Sequence, residues 1–117
     1  MRGSDPGGGR VSDVTALIHL LAEKLRSEGA SVDADPGAYQ LTIERQGERL
    51  VVLLPEREMT QLLADGDELA RDLWPGTSAL EAAARILRVH LQESLESSPL
   101  ESLEGRWRYQ PGLFEKQ

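Results

Sequence analysis

The stretch "YQLTIERQGERLVVLLPE", residues 39–56, constrains the fold more than any other part of the chain. Apolar residues alternate on both sides of Gln46-Gly47, a relative of the Asn-Gly pair that closes two-residue hairpins. A two-residue loop at that point fixes the pairing. Ile43 then faces Leu50, Leu41 faces Val52, and Tyr39 faces Leu54. Directly opposed residues share a face, so all six lie on one side of the sheet. The other side takes Gln40, Thr42 and Glu44 beside Arg49, Val51 and Leu53, with Glu44 and Arg49 a compatible charge pair. A slip of one residue would turn the whole apolar set to the opposite face. Upstream, "ASVDADPGA" adds a third antiparallel strand, and Asp35-Pro36-Gly37-Ala38 predicts a type II turn into the hairpin.

A sheet with one apolar face needs a cover, and two amphipathic segments supply it. In "SDVTALIHLLAEKLRSEG", Val14, Leu17, Ile18, Leu21 and Leu25 recur at the spacing of one helical stripe. Ser12 is the expected N-cap and Gly29 the stop. In "TSALEAAARILRVHLQESLESS", Ser78 and Glu81 form an S-x-x-E capping box. Leu80, Ala84, Leu87, Leu91 and Leu95 make its core stripe, with Ala83 at the edge. Between the hairpin and this long helix, "EREMTQLLADG" and "DELARDLWPG" predict two short helices, the first stopping near Gly66. The expected class is therefore α+β, in two layers. A three-stranded antiparallel sheet packs on the N-terminal and the long C-terminal helix, and a terminal β segment follows.

The chain of 117 residues fits one domain. Residues 1–10 are Gly-rich and are expected to be disordered, and "MRGS" looks like an expression leader. Residues 11–98 form the expected core domain, and 99–117 an aromatic tail. Aromatics are scarce, two Trp, two Tyr and one Phe, yet Trp107, Tyr109 and Phe114 all fall in "GRWRYQPGLFEKQ". A turn at Pro111-Gly112 sets Tyr109 opposite Phe114, Arg108 opposite Glu115, and Trp107 opposite Lys116. So short a hairpin is not stable alone in water. It must dock, either on its own body or on another chain.

Signatures of chemistry are few. Cysteine is absent, which removes disulfides, thiolate nucleophiles and cysteine-ligated zinc. "PGGGR" lacks the G-K-[ST] of a phosphate loop, and no G-x-S-x-G marks a nucleophile elbow. His19 and Glu23 fall on the polar face of their helix. His90 and Glu93 do not match the Glu-x-x-His order of helical carboxylate metal sites. "DADPG" supplies too few ligands for a calcium loop and is better explained as a turn. No catalytic residue, cofactor or metal is assigned. A net charge of −7 argues against a nucleic-acid backbone as partner, and "RWRY" has no basic continuation. The longest apolar runs are too short to span a bilayer, so a membrane role is not expected and the expected location is the cytoplasm.

What remains points to association. Ala82, Ile86 and Val89 share a side of the long helix roughly opposite its leucine stripe, where solvated helices more often carry charge; the cover is either a second layer of the same chain, the first helix or the tail, or a subunit or partner. The expected function is a non-catalytic protein-interaction module, with a protein partner or a second copy of the chain. Expected contacts are Ile86, Val89, Trp107, Tyr109 and Phe114, with Arg106 and Arg108 as orienting charges. The outline of a small acidic α+β protein is shared by secretion chaperones, toxin-neutralising immunity proteins and regulatory adaptors, a fold-level analogy. The alternative is a small-ligand binder or enzyme with a pocket between sheet and long helix, near Tyr39, Trp74 and His90.

Overall fold

The computed structural model describes the backbone of residues 6–99 and 101–117 and the side chains of residues 13–99 and 101–117. In chain order the elements are α1 (Pro6–Ser27), β1 (Ser31–Asp35), β2 (Gln40–Arg45), β3 (Glu48–Leu53), α2 (Glu56–Asp72), α3 (Ala79–Glu96), β4 (Gly105–Gln110) and β5 (Leu113–Lys116). The class is α+β, but the sheet has five strands in the order β1-β2-β3-β4-β5 rather than three. It is mixed rather than antiparallel, because β4 runs parallel to β3 while the other neighbours are antiparallel. The reason lies in the connection. Two helices separate β3 from β4, enough chain to cross over and return in the same direction, which a tight turn cannot do.

The central hairpin has the register its pattern dictates: Ile43 pairs with Leu50, Leu41 with Val52, and Glu44 with Arg49. Gln46 and Gly47 both take positive φ, 52° and 80°, the type I′ geometry whose twist suits flanking strands. The turn at residues 35–38 departs from expectation. Pro36–Ala38 form a single 3-10 turn closed by the Tyr39 N–H on the Pro36 carbonyl, and Tyr39, not Gly37, is the left-handed residue, with φ 53°. Tyr39 is consequently only half-buried, although its carbonyl still accepts from the Leu54 N–H at 2.8 Å.

Two helix boundaries also differ. α1 begins at Pro6, a residue suited to the first helical position. Ser12 therefore lies inside the helix, and the Gly-rich segment is helical from Pro6 on, while residues 1–5 lie outside the described residues. Between residues 56 and 72 there is one continuous helix, α2, which passes straight through Gly66. Gly66 is buried where α2 crosses α3, and a Cβ there would sit 2.8 Å from the Ala79 carbonyl oxygen and 3.3 Å from the Ala83 nitrogen. This glycine permits two backbones to approach rather than stopping a helix. α3 starts on Ser78 as N-cap, its hydroxyl accepting from the Glu81 N–H at 3.1 Å, while the Glu81 carboxylate turns to Lys24 and Arg85 instead of closing the box.

The core is a single cluster. Val14, Leu17, Ile18 and Leu21 of α1 and Leu87, Leu91 and Leu95 of α3 join the inner sheet face: Val32, Leu41, Ile43, Leu50 and Val52. Trp107, Tyr109 and Phe114 complete it, each 3% exposed. No helix among the described residues is long and apolar enough to cross a membrane.

Candidate protein-interaction face

The tail answers first, because it carries most of the expected contact residues. The turn at Pro111-Gly112, with Gly112 at φ 91°, closes a hairpin in the expected register, Tyr109 to Phe114 and Trp107 to Lys116. Its other side pairs with β3, Val52 beside Trp107 and Leu53 beside Arg108. The link before β4 holds this docking in place. The Glu48 carboxylate accepts from the Ser102 hydroxyl at 2.7 Å and the Leu103 N–H at 2.8 Å. The Trp107 indole N–H donates to the Leu103 carbonyl at 2.8 Å. Those bonds, the Ser102 hydroxyl first, hold the Glu48 carboxyl below the usual carboxylate range.

Strand alternation then splits the tail into two populations. Trp107, Tyr109 and Phe114 lie on the inner face and point into the core, each 3% exposed. Tyr109 stacks on His90, centroids 6.2 Å apart at 14° between planes, and leans on Phe114 at 5.0 Å. Burial pushes the Tyr109 phenol up. Arg106 and Arg108 face the other way and are exposed on the outer face.

The apolar side expected on α3 is largely used inside the chain. Ala82 is fully buried, Ile86 packs on the core, and only Val89 is an exposed hydrophobic, 42% accessible. α2 and α1 both pack on α3 within the chain.

The residues expected to form a ligand pocket do not meet as its lining. Trp74 lies under the Arg85 guanidinium at 5.5 Å. His90 is half-buried against Tyr109, its Nδ1 without a hydrogen-bond partner. Tyr39 stands at the 3-10 turn, its phenol raised by desolvation and by neighbouring Glu56. There is nevertheless a groove between sheet and long helix, of about 560 Å³. Its apolar floor is Leu25, Ile43, Leu91, Leu95 and Leu103, and Arg45 stands on its rim beside the Arg88–Glu28 ion pair.

The sheet itself is open on one side. Register places three cross-strand rows on its outer face: Asp35-Gln40-Leu53-Arg108-Glu115, Asp33-Thr42-Val51-Arg106, and Ser31-Glu44-Arg49. Val51 and Leu53 are half-buried at its centre. Asp33, Asp35 and Glu44 on β1 and β2, and Arg49, Arg106 and Arg108 on β3 and β4, are exposed. None of these six is in an ion pair among the described residues; those pairs are Lys24–Glu81, Arg71–Asp67, Arg85–Glu81 and Arg88–Glu28.

Both sheet edges, by contrast, are partly capped from within. The Arg26 guanidinium donates to the Val32 carbonyl on β1 from Nε and Nη2, at 3.0 and 2.8 Å. On β5, the Phe114 N–H donates to the Ser94 hydroxyl of α3 at 2.9 Å. Side chains that occupy edge groups in this way oppose strand addition.

No family model, no curated protein and no solved structure matches the chain. The outer face was legible only in part: its residue types follow from the hairpin pattern, but its basic half needs β4 beside β3, a pairing that local patterning does not encode.

Proposed function

We propose that the chain is a non-catalytic protein-interaction module of the adaptor, chaperone or inhibitor kind, and that its contact surface is the outer face of the sheet. One observation carries the reading. Six exposed charges, in no ion pair among the described residues, surround the half-buried Val51 and Leu53 on the outer side of the sheet, while both edges are partly capped. Charges so arranged set orientation and partner choice more than raw affinity.

The test is native co-purification of the tagged full chain from its source cells, with mass spectrometry, against the variant Arg49→Glu/Arg106→Glu/Arg108→Glu. In low-salt buffer, and with an untagged second copy of the chain co-expressed, the wild type is expected to retain a partner and the variant to lose it. Recovery of the same proteins by both would overturn the reading.

The groove supports a second reading, binding of a small apolar ligand with an anionic group, its apolar part on Leu91 and Leu95 and its charge at Arg45. A medium-chain carboxylate would then raise the thermal midpoint, and Leu95→Trp, which fills the groove, would abolish that rise. No rise in the wild type would exclude this ligand class.

A further inference from the structure

Across its first four strands the outer face carries acid on β1 and β2 and base on β3 and β4, in matching positions, with the acid Glu115 beyond them on β5, and that pattern has a symmetry consequence. Strands lie about 4.8 Å apart and successive outward residues about 6.6 Å apart. Consider a second copy laid face to face, related by a twofold axis parallel to the strands and passing over the gap between β2 and β3. The operation carries β1 onto β4 and β2 onto β3, and keeps each row over itself. Asp35 then stands opposite Arg108 of the second copy, Asp33 opposite Arg106, and Glu44 opposite Arg49. In the middle Thr42 meets Val51, and Gln40 meets Leu53. Each contact occurs twice, as an isologous interface requires.

We propose that the occupant of the outer face is a second copy of this chain, in a twofold sheet-on-sheet dimer held by these six intersubunit ion pairs. The proposal rests on the interaction-module reading above and names its partner. Three features argue for it. Every acidic position in the rows on β1 and β2 has a basic counterpart on β3 or β4 under one operation, and Glu115 on β5, beside Arg108, falls outside the overlap of the two faces. None of the six charges is in an ion pair among the described residues, so none must break one of those pairs to reach across. Face-to-face sheets pack about 10 Å apart, a gap that an aspartate and an arginine side chain together can bridge. The chain's overall charge of −7 opposes association in general; charge segregation on this face gives one orientation in which the local sign is attractive.

The apolar centre, Val51 and Leu53, is small, so the dimer is expected to be weak and strongly dependent on salt. Sedimentation velocity of the full chain from micromolar to millimolar concentration reads it directly. Dimer is expected at about 0.01 M salt, where charges act over about 30 Å, with at least a tenfold weaker association at about 1 M, where they act over about 3 Å.

The decisive experiment uses two variants. Asp33→Arg/Asp35→Arg and Arg106→Asp/Arg108→Asp each place like charges across the axis and are expected to be monomers. Mixed in equal amounts they restore every pair, so native mass spectrometry should find the heterodimer and neither homodimer. Thermal melts of each variant within a few degrees of wild type confirm that the fold is intact. A wild type that stays monomeric at millimolar concentration and low salt overturns the proposal, as does a dimer indifferent to both variants, or a mixture that fails to pair. A wild type that stays monomeric yet retains a different protein through Arg49, Arg106 and Arg108 would refute the second-copy assignment and leave the interaction-module reading standing. A dimer that loses no partner on charge reversal refutes both.

Discussion

The two faces of one sheet differ in what their residues do. On the inner face every strand contributes apolar bulk to one cluster with α1 and α3. On the outer face the same strands carry charges that make no ion pair among the described residues. Alternation along a strand makes this division possible, since neighbouring residues serve opposite sides. The β4 sequence "RWRYQ" shows it within five residues: Trp107 and Tyr109 are buried, Arg106, Arg108 and Gln110 exposed. If the outer face is the contact surface proposed above, stability and association can be separated here residue by residue.

Deleting residues 105–117 should have the largest effect. It removes β4 and β5, bares the edge of β3, and takes three large buried side chains from the core, each contributing on the order of 1.5–3 kcal/mol. The truncated chain is expected to lose its cooperative thermal transition in calorimetry. If it melts near the wild-type midpoint, the tail is an appendage and the inner face does not extend to it. Next, Leu41→Ala on the central hairpin should cost about 2–4 kcal/mol in denaturant unfolding, the range for a buried aliphatic. An unmoved midpoint would mean that the wrong face has been placed inside.

How much of this was legible in the sequence depends on distance along the chain. The register of each hairpin could be read because a short loop and an alternating pattern settle it locally; Ile43 with Leu50 and Tyr109 with Phe114 are both as expected. The junction between the hairpins could not, because nothing near Val52 names Trp107 as its neighbour. That gap left the fate of the tail aromatics open between core and partner, and it hid the outer-face arginine cluster. Gly66 misled for a different reason. Glycine in a helix costs about 1 kcal/mol relative to alanine, so a stop was the natural inference; the compensating contact, α3 lying against it, is a tertiary fact.

Gly66→Ala sharpens the point. In an exposed helix it would stabilise by about 1 kcal/mol. Here the added Cβ meets the Ala79 carbonyl oxygen at 2.8 Å, so α2 and α3 must separate, and a net loss of about 1–3 kcal/mol is expected. A gain in the thermal midpoint would show that the two helices do not approach so closely.

Acid titration presses on the polar links between elements. Glu81 is held below the usual carboxylate range by Lys24 on α1, then by Arg85, and Glu48 by Ser102 and the Leu103 amide. A depressed folded pKa contributes stability that is present above the unfolded value, about 4.3 for Glu, and is lost as pH falls through the folded pKa. The thermal midpoint should therefore begin to drop as pH falls below about 5. Glu48→Gln and Glu81→Gln should each flatten that drop. A profile unchanged by both would show that neither carboxylate ties the tail or α1 in place.

The smallest effects on stability are expected on the outer face, and their smallness is the substance of the comparison. Arg106→Ala and Arg108→Ala remove exposed side chains that make no ion pair among the described residues. Surface changes of that kind usually fall within about 0.5 kcal/mol. Calorimetry at low protein concentration and high salt, where association is suppressed, should find both variants close to wild type. At high concentration and low salt they should part from it, because anything that binds only the folded chain raises its apparent stability, and these variants have lost that contribution. If instead either arginine proves to cost several kcal/mol in the dilute, high-salt monomer, the outer face is part of the fold's own stabilisation. The division between a face that folds the chain and a face that joins it to a partner would then fail at β4, the strand on which it is most sharply drawn.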